Sequence, residues 1–325
     1  MGVWFFLLII FSLFALLIKS SKARIFLFSN VIRPIGYRLY LFEFIGMFFH
    51  RLMLKNTKEE RESKPLLYHK MGYLGSQDDA IEIIGLPFLT DNYCYIILYK
   101  VKYQDVEVTK AVAVDPADHE LLTSFLDRSD INATLSTILT THKHWDHAGG
   151  NIELKNKYPE AVIVGSTIDK VAACTKFVND KDEFTIDGIL NVRIVLTPCH
   201  TAGHIMFVVS KKSNPNQKDA IVFSGDHLFV GGCGALFEGN MKEMKNSMNK
   251  IKQEVDWDSR IFCGHEYSTR LLQVAQRVEP DNQEAKLKYN WAMRQRYNKL
   301  PTVPTTLRQE VTYNPFLREA IYTMM

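Results

Sequence analysis

Apolar side chains fill the start of the chain almost without interruption. Residues 1–18 carry no charge, and Val3 to Ile18 are apolar apart from Ser12. Lys19, Lys22 and Arg24 then end the run, and a shorter apolar stretch, Ile25 to Phe28, follows. A spanning helix needs about 17–25 apolar residues, so residues 1–30 read as a short transmembrane anchor. The rival reading is a cleaved or organelle-targeting (mitochondrial) segment. A cleaved signal would want a basic start and a small-x-small site, and neither precedes Lys19. Myristoylation wants Ser or Thr where Phe6 stands. Because the basic flank lies C-terminal to the run, the positive-inside rule puts the rest of a single-pass chain in the cytoplasm. Ile35 to Leu54 are again apolar but include Arg38, Glu43, His50 and Arg51. Such a mixture suits a helix in the membrane interface, or one packed on a folded domain. Lys55 to Lys64 is densely charged and reads as a linker. Residues 31–78 are therefore an interfacial helix and linker ahead of a domain that starts near Asp79.

From that point the pattern changes to short β-branched and aromatic runs. Ile81 to Ile84, Tyr93 to Tyr99, Val106 to Val114, Leu135 to Thr141 and Ala161 to Val164 read as strands, as do Val192 to Thr197, Ile205 to Val209, Ala220 to Phe223 and Arg260 to Cys263. Helical spacing intervenes twice. Asp118 can cap a helix whose apolar face is Leu121, Leu122, Phe125 and Leu126. Asn240 and Glu243 form a capping box ahead of Met241, Met244, Met248 and Ile251. Beyond Glu266 only helical segments remain, Ser268 to Arg277 and Asp281 to Lys299. The pattern predicts an α/β domain over 79–266 and a helical domain over 267–325, with no internal repeat.

Composition narrows the function classes. Net charge is only +3, and the basic residues form no patch outside the N-terminus, so no nucleic acid partner is expected. Five cysteines without a C-x-x-C pair offer neither a disulfide framework nor a structural zinc knuckle, and they suit a reducing compartment.

The chemistry is concentrated where the strand Leu135 to Thr141 ends, in THKHWDHAGG, residues 141–150. His142 and His144 alternate, so an extended backbone turns both imidazoles to one side. Asp146 and His147 follow, and Gly149-Gly150 permits a sharp bend. Imidazole and carboxylate together suit zinc, with iron or manganese as the other candidates.

T-H-x-H-x-D-H is the signature of the metallo-β-lactamase superfamily, and the chain resembles it further downstream. TPCHTAGH supplies His200, FSGDHLF supplies Asp226 and FCGHEY supplies His265. LTDNYCYII, AVDP, GDHLFVGGCG, FEGN, VEP, PTVPTTL and TYNPF extend the resemblance to glyoxalase II, the hydroxyacylglutathione hydrolases, over most of residues 81–318. The resemblance implies a four-layer αββα sandwich with a C-terminal helical domain over the site. It also implies two divalent metal ions, with zinc expected first. His142, His144 and His200 would hold one ion and Asp146, His147 and His265 the other, and Asp226 would bridge them. A water shared by two such ions ionises near neutral pH, so the hydroxide itself would be the nucleophile. A thiolate leaves readily, since thiols ionise near pKa ~8.5, and thioester cleavage then needs no strong general acid. The implied reaction takes an S-(2-hydroxyacyl)glutathione and water to a 2-hydroxy acid and glutathione.

Other residues have weaker assignments. Asp115 in AVDP can orient a ligand imidazole, and His204 is expected behind the ligands rather than among them. His227 lies either near the metals or buried with hydrogen bonds. Cys199 and Cys233 read as packing, and Trp145 as a lid. Tyr267 is retained as a substrate contact, but Ala235 and Phe237 stand where glyoxalase II offers Lys and Tyr to glutathione. The family's basic tail is also missing after Arg318. The expectation is a working hydroxide with a loosely held glutathione. Two other readings stay open. One is a persulfide-oxidising enzyme with a single iron on the same scaffold. The other is a membrane-anchored interaction protein with a vestigial site.

Overall fold

The computed structural model describes residues 33–41, 43–62, 66–74, 81–213 and 220–323. The anchor expected over residues 1–30 lies outside them, and no described helix is long and apolar enough to cross a membrane. The chain divides into two units, residues 1–59 and 60–325. Helix α1, Arg33–Leu41, belongs to the first unit, and α2, Glu43–Glu62, begins in it. Phe48, Phe49, Leu52 and Met53 of α2 are all exposed. Their spacing of one and four residues puts them on one stripe. The linker expected from Lys55 is helical as far as Glu62. Its Lys, Glu and Arg residues are good helix formers, and neither Gly nor Pro interrupts them.

The second unit is built on two sheets. The first runs in the order β1 (His69–Leu74), β2 (Ile81–Phe88), β3 (Asn92–Tyr103), β4 (Val106–Val114), β5 (Ala133–Leu139), β6 (Val162–Ser166), β7 (Lys176–Val178). The second runs β14 (Arg260–Cys263), β11 (Ile221–Gly225), β10 (Ile205–Lys211), β9 (Leu190–Leu196), β8 (Glu183–Ile186). β12 (Leu228–Phe229) and β13 (Gly232–Cys233) form a small hairpin between β11 and β14 in sequence. The inner faces meet through Ile97, Val112, Leu139 and Val164 on one side and Ile194, Phe207, Phe223 and Phe262 on the other, all fully buried. Each such side chain contributes about 1.5–3 kcal/mol by leaving water.

Helices cover the outer faces. α3 (His119–Leu126) is capped by the Asp118 carboxylate, which accepts from Leu121 N, and it buries the four apolar residues expected of it. α6 (Met241–Glu254) has the full capping box, with Ser247 rather than Met241 completing its buried face. The short α4 (Trp145–Ala148) and α5 (Asn151–Lys157) follow β5. α7 (Ser268–Val278), α8 (Gln283–Tyr297) and α9 (Leu307–Tyr313) form the C-terminal helical region.

β1 starts ten residues before the expected domain start. HKMGYL lacks alternation, a bulge interrupts its register between Lys70 and Gly72, and only Leu74 is buried. The partners that make it a strand lie in β2. What positions the site is strand direction. β4, β5 and β6 are parallel to one another, as are β11 and β14, so the segments that follow them emerge at common edges.

Candidate metal centre

Each motif residue sits just beyond a strand end. His142 and His144 follow β5, and Asp146 and His147 lie in α4. His200 comes after β9, Asp226 after β11 and His265 after β14. All seven are brought together. Three sets have ligand atoms within 4.8 Å of one another: His142, His144 and His200; His142, His147 and Asp226; and Asp146, His147 and His265.

For four of the imidazoles a contact on the outer nitrogen selects the inward one. His147 Nδ1 donates to Asp115 Oδ2 at 2.9 Å, so Nε2 faces the site. Asp115 adopts φ +51° and also accepts from Thr141 N and Oγ1, at 2.8 and 2.7 Å. That left-handed turn is tolerated by Asp and aims one carboxylate at both neighbours of the motif. His142 Nδ1 lies 3.0 Å from Thr141 Oγ1, whose proton goes to Asp115, so the ring donates and its Nε2 is turned inward. His200 Nδ1 donates to the Ala235 carbonyl at 2.8 Å. His265 Nδ1 donates to Asp91 Oδ1 at 2.9 Å. Partners of this kind fix the tautomer and raise the basicity of the free nitrogen.

The inward atoms are crowded. His144 Nδ1 is 3.0 Å from His142 Nε2 and 3.1 Å from His200 Nε2. His147 Nε2 is 3.3 Å from His265 Nε2. Two nitrogens each ~2.0–2.1 Å from a tetrahedral zinc are about 3.3 Å apart, so the spacing is that of shared coordination. Asp226 reaches both groups: Oδ2 is 3.4 Å from His200 Nε2 and 3.2 Å from His265 Nε2, and Oδ1 is 3.4 Å from His147 Nε2. Buried Oδ1 has no hydrogen-bond donor among the described residues. Five imidazoles and two carboxylates, one of them with an unsatisfied buried oxygen, converge on one volume and fit divalent cations. Gly264 is required beside them, because a Cβ there would lie 2.5 Å from Asp226 Oδ1 and 2.7 Å from His147 Cε1.

The electrostatics divide the histidines. Burial, with His200 as neighbour, pushes His144 down to about 3, and burial likewise holds His142 well below its usual value. Burial would also lower His265, but Asp226, Asp91 and Asp146 outweigh it and raise the ring to about 9. His147 is raised as well, where Asp226, Asp146 and Asp115 overcome burial.

Among the weaker candidates, Asp115 makes the imidazole contact expected of it. His204 stands behind the candidate ligands: its Nε2 accepts from Asp226 N at 3.1 Å, and its Nδ1 lies 2.9 Å from Thr197 Oγ1. His227 is fully buried, with burial pushing it to about 3, and neither ring nitrogen has a hydrogen bond among the described residues. Cys199 and Cys233 are buried, and burial raises both thiols, as packing residues require. Trp145 is buried. Tyr267 stacks on His265, with ring centroids 4.6 Å apart. The Phe237 ring meets His144 and His200 edge-on at 5.6 and 5.2 Å and remains partly exposed.

Sequence reasoning gave no role to Asp91 or to Asn92, whose Nδ2 lies 3.2 Å from Asp146 Oδ2. Nor did it single out Asp169 or Glu238, which accept from Lys143 N and Nζ within the motif. The only local signal was the Asp-Asn pair at the start of β3.

Residues 108–265 match the Metallo-beta-lactamase superfamily, and residues 266–323 match the family described as Hydroxyacylglutathione hydrolase C-terminus. A protein of Arabidopsis thaliana named hydroxyacylglutathione hydrolase cytoplasmic is 39% identical over 73% of this chain and 88% of its own length. A hydroxyacylglutathione hydrolase-like protein of Gallus gallus is 38% identical over 72% of this chain and 78% of its own. The crystal structure of ETHE1 from Myxococcus xanthus is similar at a TM-score of 0.49 and 18% identity, covering 80% of this chain and 92% of that one.

The opposed shifts have a consequence for the metal-free protein. His265, raised to about 9, stabilises the fold fully below its unfolded value near 6.5, and that stability is lost as pH rises through 9. His144, depressed to about 3, stabilises above 6.5 and loses that contribution as pH falls towards 3. Chelated protein is therefore expected to melt highest near pH 6.5. His265→Gln is expected to flatten the alkaline limb, and thermal melts from pH 5 to 9.5 check both.

Proposed function

The chain belongs to the hydroxyacylglutathione hydrolase family of the metallo-beta-lactamase superfamily, and we propose that it is a dinuclear thioester hydrolase acting on S-(2-hydroxyacyl)glutathione or a closely related thioester. That it is a metal-dependent hydrolase follows from the family. The observation that carries the finer reading is the reach of Asp226, which lies within 3.4 Å of His200 on one side and 3.2 Å of His265 on the other.

In this reading His142, His144 and His200 hold one divalent ion, Asp146, His147 and His265 hold the second, and Asp226 is shared. Zinc suits the donor set best, with iron and manganese next. Two such ions, when bound, supply an acidic water and a positive field for the oxyanion of a tetrahedral intermediate. The protein's own groups do the rest. Asp115, Asp91 and the Ala235 carbonyl hold three imidazoles with the correct nitrogen inward. Asp226 places negative charge between the two groups, and its backbone is held by His204. No proton donor to the leaving group is required, because a thiolate departs unprotonated. Tyr267 and Phe237 flank the site as apolar surfaces for the substrate.

The test is metal content together with thioester turnover. About two ions per chain are expected, and Asp226→Asn is expected to lose metal from both groups and to lower kcat at least 100-fold. A protein that saturates at one ion, with Asp226→Asn fully active, would refute the shared role.

Substrate grip gives a second expectation. Ala235 and Phe237 offer glutathione neither an ammonium nor a phenol. Ala235→Lys with Phe237→Tyr should lower KM for S-lactoylglutathione with little change in kcat, because remote contacts bind ground and transition states alike. An unchanged KM would mean that the pocket favours a different thiol.

The reading extends to a membrane. The charge-free run over residues 1–18 and the exposed stripe Phe48, Phe49, Leu52 and Met53 support a single-pass protein whose catalytic unit is cytoplasmic. The full chain is expected to float with phosphatidylcholine–phosphatidylserine vesicles, whereas a chain lacking residues 1–65 should remain soluble and active. Flotation unaffected by that deletion would contradict it.

A further inference from the structure

The two groups of candidate ligands are supported differently, although Asp115 reaches both, through His147 and through Thr141. On one side Asp115 holds His147, Asp91 holds His265 and Asn92 holds Asp146. On the three-histidine side Thr141 orients His142 and the Ala235 carbonyl orients His200, but neither contact ties the 141–144 segment to the 199–204 segment. These segments follow β5 of one sheet and β9 of the other, so strand pairing does not set their separation; one backbone bond, from Ile205 N to the Thr141 carbonyl at 3.0 Å, joins them at the base, away from His144 and His200.

We infer that Asp169 is the positioning residue for the three-histidine site, joining the His142–His144 segment to the His200 segment through one buried carboxylate. Its side chain is wholly buried. Oδ2 accepts from Lys143 N, the peptide between His142 and His144, at 3.1 Å. The same oxygen accepts from Thr201 Oγ1, next to His200, at 2.6 Å. Oδ1 accepts from Gly203 N at 2.8 Å. All three bonds go to segments that carry candidate ligands, and two of them are donated by backbone N–H groups.

The approach is as close as a backbone allows. A Cβ on Gly203 would come within 2.5 Å of Asp169 N, 2.6 Å of Oδ1 and 2.8 Å of Ile168 Cβ. Glu238 repeats the connection at the rim, accepting from Ala202 N and from Lys143 Nζ, both at 2.8 Å. A carboxylate with three donors in a dry setting resists rearrangement, because any one bond broken leaves a buried charge short of a partner.

The inference rests on the reading that His142, His144 and His200 hold a metal, and the experiment separates the two. Full-length protein, stripped of metal, is titrated with Co²⁺ and followed by visible absorption and metal content. His200→Ala identifies the spectral component of the three-histidine site. Asp169→Asn keeps the shape but puts an amide against at least one donor. It is expected to weaken Co²⁺ binding at that component about 10–100-fold, the range typical of removing a ligand's outer partner, and to leave the other within twofold. Thr201→Val deletes one of the three bonds and should weaken the same component by less, which keeps the test open if Asp169→Asn fails to fold. Co²⁺ binding unchanged in Asp169→Asn would overturn the inference, as would equal weakening of both components. If His200→Ala leaves the titration unchanged, the ligand assignment itself fails, and Asp169 has no such site to position.

Discussion

Asp226 carries a charge in a place where a lone charge would not persist. It is buried, and burial opposes its ionisation, yet His265 and His147 hold it well below the usual carboxylate range. A buried carboxylate is tolerated only where positive charge or donors face it from fixed positions. The surrounding site is arranged to supply that. Imidazoles approach from two sides, four of them turned by a partner on the far nitrogen, and the Asp226 backbone is itself held by His204. The need to compensate this charge links the histidines into one unit, and it explains why the site draws on both sheets.

The fold meets that need with strand ends. Parallel neighbours in each sheet deliver their following segments to one edge, so residues distant in sequence arrive within a few ångströms. The C-terminal helices add Tyr267 against His265, and Glu266 accepts from Tyr93 and Thr302, which holds the His265 turn to both β3 and the helical region. Beside these residues Phe237 is exposed and Tyr267 half-buried, so the cluster is not wholly covered.

Much of this was legible in the chain because it is local. The motif over 141–147 declares its chemistry within seven residues, the capping residues Asp118 and Asn240 sit where the helices begin, and the inner strands show in their β-branched runs. What was not legible depends on partners elsewhere. β1 has no pattern of its own and exists because β2 offers an edge. The charged segment after Lys55 reads as a linker by composition, yet it contains nothing that stops a helix. Asp169 looks like any polar residue in a turn; its importance comes from Lys143, Thr201 and Gly203, which lie 26 to 34 residues away. Asp115 was easier to suspect, since it ends a strand beside the motif.

The central claim is that one carboxylate joins two metal sites into a single centre, and magnetic coupling tests it most directly. In protein loaded with two Co²⁺ per chain, a shared Asp226 brings the ions close enough for their spins to interact. Electron paramagnetic resonance should then show less conventional signal than two isolated ions would give, and Asp226→Ala reloaded at high Co²⁺ should restore it. A full two-ion signal in the unaltered protein, with no sign of coupling, would contradict the account.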